Sequence, residues 1–202
     1  MKKTVKKYLV FLTGLLVFSF GISFANKSLL GANAMAVMVV GISLHLPLTI
    51  GTCNLIVGLI QLAIGFCLDR KDVTWATLIG VVCGSYGIDL ANLIIPNTDD
   101  FYIRILYMTL GLLLYCLGLA IEQTSKCGYG QLDCMMFGLA RIFKIKKYRV
   151  IRWVVDGFFI ITGYLLGSVV SFGCILYFVA TGILIERFRT LLTIMLKNYL
   201  AD

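Results

Sequence analysis

Charge is scarce in this sequence, and histidine is almost missing. Asp, Glu, Lys and Arg together make 14% of 202 residues, and His45 is the single histidine. Seven cysteines are present, but no two form a CxxC pair, and Cys53, Cys67, Cys83, Cys116 and Cys174 sit inside apolar runs. Metal ligation needs paired Cys or His spacing, so neither a metal nor any other cofactor is expected. A Walker A loop is also missing, which excludes an ATPase acting alone. There is no nucleophile elbow, His-rich stretch or paired catalytic carboxylate pattern. An enzyme is therefore not expected.

What fills the space is apolar. Hydrophobic residues make 60% of the chain, and the mean hydropathy is +0.96. A soluble domain of this size cannot bury that much apolar surface. Runs of membrane-spanning length recur at Tyr8–Asn26, Leu48–Leu68, Val73–Ile95, Phe101–Glu122, Val150–Ser168 and Val169–Ile185. Each approaches the ~20 residues that cross ~30 Å of hydrocarbon as a helix. Two further stretches, Gly31–Leu46 and Gly128–Ile142, are too short for confident spans and read as re-entrant or interfacial helices.

The opening "MKKTVKKYLVFLTGLLVFSFGISFANKS" fits a signal peptide with a small-x-Ala site, and it fits a first membrane helix equally well. An internal repeat decides between them. Sliding the sequence by 97 residues, the distance from Gly14 to Gly111, sets Gly14, Gly21, Gly31 and Gly41 on Gly111, Gly118, Gly128 and Gly138. "GLLVFSFGIS" then lies over "GLLLYCLGLA", and Asp89 over Glu186. The first run matches a mid-chain helix, so it is expected to be retained.

Each repeat holds a helix, a short apolar segment and two more helices. If the short segment does not cross, the two copies must be inverted; if it crosses, they are parallel. With six spans and the N-terminus inside, only Lys27 and Arg104 of the 18 Lys/Arg lie outside, leaving 16 within. Eight spans place Lys27, Arg70, Lys71 and Lys126 outside, leaving 14. The positive-inside bias favours six. The expected fold is therefore all-α and polytopic. It has six transmembrane helices in two inverted three-helix repeats, each with a short re-entrant or interfacial helix. Repeat 1 covers about 8–96 and repeat 2 about 102–193 of one integral membrane domain over residues 1–202. The expected location is the bacterial plasma membrane, with both termini cytoplasmic.

"KSLLGANAMAVMVVGISLHLPLTIGTCNLIVGLIQLAIG", "GSYGIDL", "GYGQLDCMMFGLAR" and "VIRWVVDGFFIITGYLLGS" resemble the YczE/YitT group of bacterial integral membrane proteins. The resemblance implies pattern positions at Gly31, Gly51, Thr52, Gly87, Asp89, Asp133, Arg152, Asp156 and Gly167. The chain departs from the pattern where Ala32 and Asn33 replace a Gly-Pro-like turn, where Ala36 replaces a polar residue, and at Ser168. Transport and membrane-associated regulation are both implied, and no chemistry beyond them.

An ionisable group in hydrocarbon costs ~2.5–3.5 kcal/mol or more, so it is paired, faces a cavity, or is functional. Asp133 is the leading site residue, because it follows the "CGYG" turn among apolar neighbours. Asp156 lies four residues after Arg152, on the same helix face, where the two can pair structurally or form a ligand site. Asp89 sits late in its span, with an interfacial role as the plain alternative. Gly31 and Asn33, with Gly128 and Gly130, mark matching interruptions that either bind a ligand by their backbone or pack helices closely. Glu122 and Glu186 read as mostly structural acids at cytoplasmic helix ends, solvated or paired with Lys126 and Arg189, and Gln123 either lines a polar interior or bridges helices by hydrogen bonding. The run "RIFKIKKYRVIR" carries Lys144, Lys146, Lys147 and Arg149 toward anionic lipids at the cytoplasmic face or a partner protein, rather than toward nucleic acid.

The expected function is a membrane transporter, or a membrane-embedded substrate-binding subunit, for a small molecule. It is expected to act as a homodimer or with a separate energising subunit. The alternative is a non-transporting regulator or assembly partner that acts through the basic loop.

Overall fold

A computed structural model describes residues 3–31, 33–48, 50–70 and 73–196. Ala32 of the departing turn and Lys71 of the charge count lie outside them. The described residues form eight α-helices and no strand: α1 (Lys3–Ser28), α2 (Ala34–Ser43), α3 (Ile50–Leu68), α4 (Trp75–Ile94), α5 (Phe101–Ser125), α6 (Gln131–Ile142), α7 (Tyr148–Leu165) and α8 (Phe172–Met195). Three of them, α1, α4 and α5, are long and apolar enough to cross a membrane. The 10 residues of α2 and 12 of α6 reach only about 15–18 Å at 1.5 Å per residue. They are the two short segments expected from sequence. The last helix differs from expectation. It starts at Phe172, capped by Ser171, and runs to Met195, well past Ile185.

Local chemistry sets the helix starts. Thr74 and Thr77 form a capping box at α4, and Asp100 accepts from the backbone N–H of Tyr102 at 2.8 Å and Ile103 at 3.3 Å at α5. Asn33 accepts from the Ala36 N–H at 2.9 Å to open α2. Pro96 follows the end of α4, and α5 ends on Lys126 in the left-handed conformation, φ 55°.

The outer faces are apolar. Val154, Phe158, Ile161 and Leu165 form an exposed stripe along α7, while Arg152 and Asp156 point inward from the same helix. Exposed Leu55, Ile56, Leu59, Ile60 and Ile64 do the same on α3. Apolar-out, polar-in helices need an apolar solvent, which a bilayer provides.

Helices α1 and α5 run antiparallel in close contact. A Cβ on Gly14 would lie 2.8 Å from the Glu122 nitrogen and 2.9 Å from the Gly118 oxygen. On Gly111 it would lie 2.7 Å from the Ala25 nitrogen and 2.9 Å from the Gly21 oxygen. These two contacts exchange under the 97-residue shift, since it carries Gly14, Gly21 and Ala25 onto Gly111, Gly118 and Glu122. The glycines let two backbones approach where any side chain would separate them.

The short helices cross over. Helix α2 packs on α7, where Gly163 abuts Val37 and Met38, and α6 packs on α3, where Gly65 abuts Cys134 and Met135. Helices α4 and α8 flank α1 and α5 respectively. Each half thus lends its short helix to the other. Burial aligns Cys53, Val57 and Gly65 of α3 with Ile151, Val155 and Gly163 of α7. That is 98 residues, the span from Cys53 to Ile151, one more than separates Gly14 from Gly111.

Candidate functional site

Among the charged residues of the second half's helices, the fold turns Arg152, Glu122, Asp133 and Asp156 inward. Arg152 and Asp133 are each 1% exposed, Glu122 2% and Asp156 3%. Arg152 Nε donates to Asp156 Oδ2 at 2.9 Å, the one-turn pairing expected of their spacing. Its Nη1 faces the Tyr148 hydroxyl at 3.4 Å and Asp133 Oδ1 at 3.9 Å, and its Nη2 donates to the Tyr115 hydroxyl. Asp133 sits in the first turn of α6, the favourable end of the helix dipole for a carboxylate. It accepts from Tyr148 at 2.9 Å and from Gln123 Nε2 at 2.8 Å. The centre therefore joins α5, α6 and α7 through charge-assisted hydrogen bonds.

A cleft of about 470 Å³ lies beside this centre. Gln123, Thr124, Gly128, Tyr129 and Phe137 line it, Thr74 of α4 forms one edge, and Lys126 and Arg189 bring positive charge. The Arg189 guanidinium stacks 5.6 Å from the Tyr148 ring centre. Gln123 is the link, being both cleft wall and donor to Asp133.

Other sequence candidates lie elsewhere. Asp89 is exposed on α4; Ser85 donates to the Val81 carbonyl instead of to it. Asn33 is a helix cap. Gly31, at φ 127°, is filled against Ser171 and Cys174 at the start of α8. Gly128 packs against Thr74 and Thr77 at the start of α4, the position 97 residues earlier. Both glycines are tight contacts between the halves, although Gly128 also borders the cleft. Gly130 is open, with Glu122 Oε2 the nearest neighbour of an added Cβ at 3.6 Å. Arg149 packs its Cα and Cβ against Gly182 of α8. Lys144, Lys146 and Lys147 are exposed between α6 and α7. His45 sits 3.1 Å from the Leu166 carbonyl through Nε2.

Glu122 is the residue that sequence reading misplaces. Expected as a helix-end acid solvated or paired with Lys126, it is buried instead, and its Oε1 has no hydrogen-bond partner. The left-handed turn at Lys126 sends the chain back over it. Tyr115 and Tyr148 carried no sequence signal, because tyrosines in apolar runs look like ordinary packing or interfacial residues.

Residues 5–190 match the family described as "Family of unknown function (DUF6198)". The chain belongs to the DUF6198 family. Among curated proteins, this DUF6198 chain is 26% identical over 185 residues to the uncharacterized protein YyaS of Bacillus subtilis (strain 168), covering 90% of this chain and 92% of the relative. It is 23% identical over 163 residues to an uncharacterized protein of Haemophilus influenzae, covering 81% and 74% respectively. Neither carries the YczE or YitT name that the motifs resemble. No solved structure matches this DUF6198 chain.

Proposed function

We propose that this protein is a bacterial membrane carrier, or the membrane-embedded binding subunit of one, for a small molecule held in the cleft beside the Asp133–Arg152–Asp156 centre. Its six spans are α1, α3, α4, α5, α7 and α8, in two inverted repeats, with α2 and α6 reaching partway in and both termini cytoplasmic. The antiparallel α1–α5 pair and the crossed short helices support this plan, which is a recurrent one among transporters. One observation carries the function: a buried, hydrogen-bonded charge centre adjoins, through Gln123, a cleft large enough for a small molecule.

The test is a thermal-shift screen of the detergent-purified protein against metabolites, vitamins, ions and lipids. A ligand of the folded state raises apparent stability by mass action. The expected result is a saturable hit that disappears in folded Asp133→Asn and Asp156→Asn. A flat screen together with a co-purifying protein overturns the proposal.

A second reading has its own observation. Exposed Lys144 and Lys146 edge another hollow, of about 480 Å³, floored by Phe137, Ala140 and Ile145. Cations above an apolar floor suit an anionic lipid or an amphipathic partner segment, as a regulator would need. Neutralising Lys144, Lys146 and Lys147 together should then do more harm in cells than Asp133→Asn. The carrier reading expects the reverse.

A further inference from the structure

The hydrogen bonds of the buried centre are lopsided. The donors around Asp133 are engaged: Gln123 Nε2 is shared between Asp133 at 2.8 Å and Tyr148 at 3.1 Å, and Tyr148 donates to Asp133. Arg152 directs its nitrogens at Asp156, Tyr148 and Tyr115. Two acceptors are left without a donor, Gln123 Oε1 and Glu122 Oε1. They belong to adjacent residues that are 5% and 2% exposed, so bulk water does not serve them. A buried acceptor with no donor is costly, and a buried carboxylate oxygen more so.

Charge is lopsided in the same direction. Three carboxylates, Glu122, Asp133 and Asp156, share the interior with one guanidinium. The remaining nearby cations, Arg189 and Lys126, stand at the cleft wall instead. Arg189 faces the ring of Tyr148, the tyrosine whose hydroxyl meets Gln123, so Gln123 of the cleft wall and the cationic end of the cleft border one side chain.

We propose that the cleft binds a small zwitterion. Its ammonium group donates N–H bonds to Gln123 Oε1 and is balanced by Glu122. Its anionic group lies toward Arg189 and Lys126. This rests on the carrier reading and specifies the substrate class for it. The chain's net charge of +8 points the other way, toward anions, but the inner wall offers an anion no free donor.

The probes are β-alanine and 4-aminobutyrate, with propylamine and propionate as single-charge counterparts, titrated calorimetrically into the full chain in detergent. At least one zwitterion should bind saturably and at least tenfold more tightly than either counterpart. Glu122→Gln should lower zwitterion affinity at least tenfold and leave propionate unchanged. Arg189→Gln should remove the advantage over propylamine, and Lys27→Gln, on the far surface, should change nothing. Melting curves without ligand confirm that each variant is folded. Propionate or propylamine binding as tightly as the zwitterions overturns the proposal. So does zwitterion affinity that is unchanged in folded Glu122→Gln. If the zwitterions fail while another compound of the wide screen binds and is lost in Asp133→Asn, this inference falls and the carrier reading stands. If both fail, both fall.

Discussion

The two halves of this chain share a packing plan and differ in chemistry. In α7, Arg152 and Asp156 are buried charges; the structurally equivalent positions of α3, 98 residues earlier, are Asn54 and Gly58. In the other elements the shift is 97, and Asp133, Glu122 and Tyr115 answer to Ala36, Ala25 and Phe18. The glycines that set the helix approaches are kept in both halves, as Gly14 with Gly111 and Gly21 with Gly118. Scaffold and site thus follow different rules. Close backbone packing works only if both members of a symmetric contact stay small, whereas a charge centre needs just one copy.

The sharpest way to break that asymmetry is to remove its cation. Arg152→Met leaves Asp133 and Asp156 buried with no guanidinium between them, and should destabilise the protein by about 3–5 kcal/mol. Asn54→Leu, at the matching place in α3, should stay within about 0.5 kcal/mol. Unfolding in a denaturing detergent series reads both. Equal costs would mean that the centre is not what distinguishes the halves.

The shared scaffold predicts equality instead. Gly21 and Gly118 each lie against the opposing backbone, at Tyr115 and at Phe18. Gly21→Val and Gly118→Val should therefore cost the same, about 1–3 kcal/mol each by overpacking, within the error of the melt. A cost confined to one of them would break the symmetry of the α1–α5 contact.

Much of this was legible in the residues, and the failures have physical causes. Glycines recur only where something forbids a side chain, so a 97-residue register survived in apolar sequence where leucine matches mean little. Asp133 and the Arg152–Asp156 spacing stood out because charge in hydrocarbon is expensive. Glu122 did not, since at a helix end solvent or burial is decided by the path of the next turn, and that depends on the φ of Lys126. Gly31 was legible only as an interruption that either binds a ligand or packs helices closely, for the same reason. Its partner is the start of α8, about 140 residues away in sequence, which no local pattern announces.

A smaller difference separates the two short helices. Asn33 caps α2 through its side chain, while Gly130 opens α6 with none. Asn33→Ala should cost about 1 kcal/mol, and Gly130→Ala less, about 0.5 kcal/mol, since Gly ranks between Asn and Ala as an N-cap. A larger penalty at Gly130 would mean that the gap beside Glu122 is needed for folding rather than left free for a ligand.

The finest test uses a thiol in the cleft. Cys127 lines its wall, held near Ser125 Oγ at 3.4 Å and the Lys7 carbonyl at 3.6 Å. Burial pushes its thiol above the ordinary value, against the smaller opposing pull of the Ser125 hydrogen bond. The reactive species is the thiolate. At neutral pH it is nearly all protonated, so maleimide labelling should be slower than for a free thiol and still be rising at a pH where the free thiol has levelled off. Tryptic mass spectrometry separates Cys127 from exposed Cys67 and Cys83. Leu30 is the matching position in the first half. A Leu30→Cys variant gives the control: a cleft ligand should slow labelling at Cys127 and leave the first-half thiol unaffected. Protection at both positions would place binding on the shared scaffold, and protection at neither would empty the cleft of its role.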